Sequence, residues 1–277
     1  MGTSSHPRAH ASSPFTHASR PDVALPRIHE ESAVLYELAK PVVMAISRVL
    51  WNPTIRGVEN VPESGPVILA SNHLAYCDTV FLPGQIRRTV HTLGKSDIFS
   101  GRSLPQRIGA RIMRGLHVMP VDRSGGSAAR SALDAGVAVL EAGGILGIYP
   151  EGTRSPDGRL YRGKTGVARI ALATGAPIVP VAMVGAHEAQ RGRRFFPRRR
   201  PQITAVLGEP LLARDLASAW EGADQSALLR GVTETVMERI QELSGQERSE
   251  EYSADVKRRL RAAAEGGRAP ARRDISR

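Results

Sequence analysis

From residue 52 onward the chain alternates between short apolar runs and longer stretches with a helical period. TIRGV (54–58), PVILASN (66–72), TVHTLG (89–94), LHVMPV (116–121), ILGIYP (145–150), PIVPVAMVG (177–185) and QITAVLG (202–208) are short and rich in β-branched residues. That pattern predicts strands. Residues 76–84, 103–114, 127–142 and 164–174 lie between them and predict helices, the third opening at Ser127 and closing at Gly143-Gly144. A last amphipathic helix is predicted over 225–243, where Leu228, Leu229, Val232, Val236, Ile240 and Leu243 fall near a 3.6-residue period. Strands alternating with helices predict an α/β domain with a mostly parallel central sheet flanked by helices.

The flanks differ in character. Residues 1–30 are rich in Ser, Pro, His and Ala without an apolar period, which predicts a disordered tail. His6, His10, His17 and His29 fall there at irregular spacing, so no metal site is expected. Residues 31–51 (ESAVLYELAKPVVMAISRVLW) hold interior charges at Glu37, Lys40 and Arg48, with Pro41 in mid-segment. Proline removes a backbone donor and clashes with the preceding turn, so two short helices or a kinked one are expected. The segment is too charged and broken to span a bilayer. It is apolar enough to lie in a membrane interface, anchored by Trp51, or to pack on the domain core; both readings stand at this point. Residues 246–277 are charged and rich in Gly and Ala, which predicts a frayed C-terminal tail. No internal repeat is visible.

Charge narrows the choice of partner. The 277 residues carry 38 basic and 27 acidic side chains, a net charge of +11, with an isoelectric point near 10.7. Such a surplus attracts nucleic acid, an acidic lipid surface or phosphorylated metabolites. Lysine is scarce among so many arginines: only Lys40, Lys95, Lys164 and Lys257 occur. The single cysteine, Cys77, excludes an intramolecular disulfide and a Cys-rich zinc site. No apolar run reaches the length of a membrane span and no signal peptide opens the chain, so a location in or against the cytoplasm is expected.

Two constellations carry candidate chemistry. Ser71-Asn72-His73-Leu74-Ala75-Tyr76-Cys77-Asp78 follows the apolar strand Val67–Ala70 and opens a helix. On one continuous helix His73 and Asp78 would point about 140° apart. They meet only if His73 lies on the strand-to-helix turn and Asp78 reaches back, the geometry of a base whose far nitrogen is held by a carboxylate. Tyr149-Pro150-Glu151-Gly152-Thr153-Arg154-Ser155 ends another predicted strand, and ligands of open α/β sheets bind at the carboxyl ends of strands. Its glycine admits close backbone approach, its threonine offers a hydroxyl, and its arginine a planar fork for phosphate oxygens. Taken singly, each also reads as an ordinary polar turn.

In this order and spacing, H-x4-D followed by Y-P-E-G-T-R resembles the glycerolipid acyltransferase family, typified by lysophosphatidate acyltransferases. Leu93-Gly94-Lys95-Ser96-Asp97-Ile98-Phe99 looks like its lysine block, and Gly115–Arg123 like the block ending in arginine. Ala176–Ala182 is similar to its last apolar strand, so the resemblance covers about residues 52–245. Asp97 stands where Glu is commoner, and Tyr149 where Phe is. The resemblance implies direct transfer of an acyl group from acyl-CoA or acyl carrier protein to a hydroxyl, with no cofactor and no covalent enzyme intermediate. The implied acceptor is the sn-2 hydroxyl of 1-acylglycerol-3-phosphate, giving phosphatidate. His73 is then the general base and Asp78 its orienting carboxylate. Arg154, Lys95 and Arg123 bind the acceptor's phosphate, while Glu151, Gly152 and Thr153 shape its glycerol pocket. Glycerol-3-phosphate or another lysolipid as acceptor stays open, as does a non-catalytic lipid- or nucleic-acid-binding protein on the same scaffold.

Three rival motifs need weighing. Gly158–Thr165 spells G-x4-G-K-[ST], the letters of a phosphate-binding loop, but a turn rather than a strand precedes it. Cys77, four residues after His73, could form a Cys–His nucleophile, or be a small buried spacer. Arg191–Arg200 interleaves six arginines with Phe195 and Phe196. It suits nucleic acid, a lipid surface or plain solvent. With a lipid substrate implied and no nucleic-acid motif elsewhere, the expectation is an anionic membrane surface and no nucleic acid, and a peripheral enzyme on the cytoplasmic face of the plasma membrane.

Overall fold

The computed structural model describes residues 41, 44–96, 107, 117–121, 126–191, 194 and 196–266. Their strands are β1 (Thr54–Arg56), β2 (Val67–Ser71), β3 (Val90–Lys95), β4 (Val118–Val121), β5 (Ile145–Ile148), β6 (Leu160–Tyr161), β7 (Ile178–Val184), β8 (Thr204–Leu207) and β9 (Arg248–Ser249). The helices are α1 (Asp78–Gln85), α2 (Gly126–Glu141), α3 (Gly166–Thr174), α4 (Ala186–Ala189), α5 (Ala213–Ser218), α6 (Gln225–Ser244) and α7 (Ser253–Gly266). Residues 44–51 are also helical.

All seven predicted strand runs are strands of one sheet, in the order β1-β8-β7-β2-β5-β3-β4. β2 is buried at every position, as a central strand covered on both faces must be. Its side chains alternate between two cores. Val67 and Leu69 pack with Phe81 and Leu82 of α1, Ala186 and Ala189 of α4, and Val179 and Val181 of β7. Ile68 and Ala70 face the opposite layer, with Val137 and Leu140 of α2, Ile170 of α3 and Val236 and Ile240 of α6. Helices therefore flank the sheet on both sides.

The sheet is mixed, which corrects the expectation of a mostly parallel one. β7 and β8 pair antiparallel, so β8 and its parallel neighbour β1 run against the other five strands. Parallel neighbours need a crossover over one face, whereas antiparallel ones do not. Among the described residues, the four-residue α4 is the one helix between β7 and β8. The lack of a long helical period between those two runs is the signal in the sequence.

Within the expected C-terminal tail, residues 246–266 are ordered rather than frayed, and the rest lies outside the described residues. β9 pairs with β6 in a small second sheet, and α7 follows it. Two-residue strands carry no readable period, and α7 is polar enough to resemble a tail. Of the expected segment 31–51 only residue 41 and 44–51 are described, and 44–51 is helical. Met44 and Ser47 are buried, and Trp51 packs against the core that contains Phe81. Gly84 of α1 allows this approach, because a Cβ there would collide with the Met44 sulfur. The predicted helix 103–114 lies outside the described residues apart from residue 107, and the tail 1–30 lies outside them entirely. Among the described residues no helix is long and apolar enough to cross a membrane.

Candidate active site

β2, β5, β3 and β4 are adjacent and mutually parallel, so the segments that follow them leave from one edge of the sheet. His73 follows β2, Glu151–Arg154 follows β5, and Lys95 is the last residue of β3. Arg123, two positions beyond β4, lies outside the described residues, and of Lys95 the backbone position is described. The segments that carry His73, Lys95 and Glu151–Arg154, spread over some eighty residues of sequence, thus leave from one edge because parallel strands share a carboxyl end.

The H-x4-D spacing is explained by the turn between β2 and α1. Asp78 is the first residue of α1 and fully buried, a position where the helix dipole favours a carboxylate. Its Oδ2 accepts hydrogen bonds from the backbone N–H groups of Leu74 (2.7 Å) and Ala75 (2.8 Å). The same oxygen lies 3.1 Å from His73 Nδ1. The chain wraps around one carboxylate, and four intervening residues are what that wrap takes. With Nδ1–H donating to Asp78, the lone pair of the neutral ring resides on Nε2.

The imidazole is 14% exposed. Burial lowers its pKa from the ordinary 6.5; Asp78 opposes this through its hydrogen bond and charge, while the charges of Arg154 and Lys257 lower it further. At neutral pH the ring is therefore an unprotonated base. Its face stacks on Tyr149, centroids 4.0 Å apart and planes 17° apart, which fixes its tilt.

The loop after β5 is fastened to this turn. Glu151 is fully buried, and its carboxylate accepts from the His73 N–H (3.1 Å) and the Tyr161 N–H (3.2 Å). The Ser155 N–H donates back to the His73 carbonyl at 2.7 Å. Glu151 thus ties the loop after β5 to the turn that carries His73. Burial pushes its carboxyl up to about 8, against the lowering effect of those two N–H groups. Gly152 turns the loop at φ 74°, a backbone conformation that favours glycine, and the Lys164 stem lies 3.1 Å from where its Cβ would stand. The Arg154 guanidinium lies 3.5 Å over the exposed Tyr76 ring, so its position is held by a cation–π contact.

Sequence reasoning missed two contributors. Asn72 is buried, and its amide exchanges hydrogen bonds with the Met183 backbone (2.7 and 3.2 Å) and donates to Gln246 (2.6 Å), prolonging the β2–β7 pairing to the foot of His73. From α7, Lys257 Nζ donates to Thr153 Oγ1 at 3.0 Å, and Ser253 Oγ donates to the Arg154 carbonyl at 2.9 Å. Only the rarity of lysine in this chain could have pointed to Lys257.

Two of the rival motifs are accounted for. Cys77 packs in the apolar core, and burial pushes its thiol far above the range of a reactive cysteine. The Gly158–Thr165 run contains β6, with Gly163 pressed against Met237, so it is no phosphate-cradling loop.

A layered α/β sheet with a histidine–carboxylate pair at its carboxyl edge is the class that fold and site define. The acyltransferase family model matches residues 52–184. Similar proteins include the 1-acyl-sn-glycerol-3-phosphate acyltransferase of Bacillus subtilis, 26% identical over 211 residues, covering 76% of this chain and 96% of the relative. The chloroplastic enzyme BAT2 of Brassica napus is 33% identical over 136 residues, 49% of this chain but 38% of the relative. Among solved structures, the 1-acyl-sn-glycerophosphate acyltransferase PlsC of Thermotoga maritima shares the fold, with a TM-score of 0.52 at 24% identity over 77% of this chain and 78% of that one. Over residues 52–184 the chain is similar to the acyltransferase family, and over most of its length to a curated glycerolipid acyltransferase.

Proposed function

We propose that this protein is a 1-acylglycerol-3-phosphate O-acyltransferase that forms phosphatidate at an anionic membrane surface. The observation that carries the reading is the His73 Nδ1–Asp78 Oδ2 pair, with the Glu151–Arg154 loop hydrogen-bonded to the same turn. The reaction named for the Bacillus subtilis relative fits that chemistry. His73 Nε2 accepts the proton of the acceptor hydroxyl as its oxygen attacks the thioester carbonyl. The tetrahedral intermediate collapses to the ester, and the departing thiolate takes the proton from the imidazolium. Asp78 holds the tautomer and stabilises the transient positive charge. Arg154, Lys95 and Arg123 bind the phosphate, Gly152 and Thr153 line the glycerol site, and Glu151 holds that lining to the base. Acyl-CoA or acyl carrier protein is the donor.

The domain reading is 52–245 as the acyltransferase domain, with 31–51 lying in the membrane interface. It is supported by an apolar patch: Ile46, Val49 and Leu50 on helix 44–51 are exposed, and Trp51 stacks on the exposed Phe196 (6.2 Å, 11°). The Trp51 indole donates to the Pro197 carbonyl at 2.8 Å, and Arg198, Arg199 and Arg200 are exposed beside it. Apolar groups ringed by arginine suit an anionic bilayer, here the cytoplasmic face of the plasma membrane.

The test is transfer of a labelled acyl group from acyl-CoA, and from acyl carrier protein, to lysophosphatidate, with glycerol-3-phosphate in parallel. Wild type is expected to form phosphatidate, and His73→Ala to lose ~10²–10⁴ of the rate, as for a lost general base. A folded His73→Ala variant within a few-fold of wild type overturns the mechanism; product from glycerol-3-phosphate alone overturns the acceptor.

A further inference from the structure

The β5–α3 connection meets a positive charge that the roles assigned above do not use. Lys257 reaches it from α7, more than a hundred residues away in sequence. The Lys257 ammonium is half-buried and donates to the Thr153 hydroxyl at 3.0 Å. An ammonium has three donors, and among the described residues Thr153 supplies the one hydrogen-bond acceptor recorded for it. No carboxylate of the described residues lies within ion-pair distance; Glu151, the nearest acidic influence, has both oxygens engaged by backbone N–H groups. Arg154 adjoins Thr153 in the chain, and its repulsion and that of Arg261 act on Lys257. Holding like charges together in a partly desolvated site is unfavourable unless an anion joins them.

The placement of Lys257 is fixed on both sides. Ser253 is fully buried and bonds the Arg154 carbonyl, and Val256 is buried one residue before Lys257. β9 leads into α7 and is itself pinned to β6, whose Tyr161 N–H donates to Glu151. The helix that brings the lysine is thus tied to the same loop directly by Ser253 and indirectly through β9 and β6.

Resting on the acyltransferase reading, we propose that Lys257 is a phosphate ligand for the acceptor, so that α7 completes the acceptor site from the C-terminal side. Its partner is a dianionic phosphomonoester, which accepts from the ammonium, while Thr153 keeps the ammonium aimed. The groups that face Lys257 are Arg154 and Glu151 on the loop, Arg261 on its own helix, and His73 across the site. Burial first, then Arg154 and Arg261, bring its pKa down from 10.5 to about 8. The charge is therefore present below that value and lost as pH rises through it. Acceptor binding should weaken on the alkaline side.

The experiment compares wild type, Lys257→Met and Lys257→Arg. It uses steady-state transfer and calorimetric titration with short-chain lysophosphatidate, and with monoacylglycerol as the phosphate-free control. Lys257→Met is expected to raise KM and Kd for lysophosphatidate ~10–100-fold, the size of a lost charged hydrogen bond. It should leave KM for the acyl donor and monoacylglycerol binding within about threefold. Lys257→Arg should restore binding and abolish the loss of affinity above pH about 8, because guanidinium stays charged there. Equal lysophosphatidate Kd in wild type and Lys257→Met overturns the proposal, as does a raised donor KM with an unchanged acceptor KM, which would assign the ammonium to the donor's phosphates. If wild type binds lysophosphatidate without transferring acyl groups, the acyltransferase reading falls, and the Kd comparison still decides the role of Lys257.

Discussion

Asp78 Oδ2 is shared by two backbone N–H groups and the His73 ring, and that sharing sets how the base titrates. Burial lowers the His73 pKa below 6.5 while Asp78 holds it up. The unprotonated ring is the working form, so kcat/KM should fall as pH drops through a value below 6.5. Asp78→Asn removes the raising influence and the hold on the tautomer. Its acid limb should move to still lower pH while the plateau falls, read from a pH–rate profile. A limb that moves toward neutral would contradict the pairing. The His73–Asp78 and Glu151–Arg154 motifs were legible in the sequence as residue types in order. The engagement of Glu151 with the His73 backbone was not, because it depends on where β5 sits beside β2.

Helix 44–51 shows how one element divides its faces. Met44, Ser47 and Trp51 recur at helical spacing and turn inward, which leaves Ile46, Val49 and Leu50 exposed, while Trp51 stacks on the exposed Phe196. Val49 is 78% and Phe196 65% exposed, so neither supports the core. Val49→Asp combined with Phe196→Asp should weaken partition onto phosphatidylglycerol vesicles by ~10-fold or more, judged from the apolar burial at stake. Turnover of detergent-dispersed substrate should be unchanged. Sedimentation with vesicles reads the first and an acyl-transfer assay the second; undiminished partition would remove this face from the interface. The seven strands and the helices α1, α2, α3 and α6 announced themselves by period. β6, β9 and the short α4 and α5 did not, since a few residues hold no period, and α7 is amphipathic only against the loop it covers.

For the whole molecule, a net charge of +11 adds long-range attraction to the short-range apolar contact. Binding to anionic vesicles should therefore weaken steeply as salt rises from about 0.05 to about 0.5 M, as the Debye length shrinks below the reach of the outer arginines. Co-sedimentation across that range measures it, and salt-independent binding would leave the charge without a role at the surface. Alternating apolar runs and helical periods determined an α/β domain from the sequence, because burial on two faces demands those runs wherever the strands lie. The ordered motifs carried the resemblance to the glycerolipid acyltransferases, because the chemistry needs those side chains in any arrangement. Strand order and direction were decided only in the tertiary structure. β5 inserts between β2 and β3, which brings the Glu151 loop under His73, and β8 reverses direction. The place of Lys257 was decided there too: a charged helix has no address in its own sequence, and acquires one when β9 pairs with β6 and Ser253 closes on Arg154.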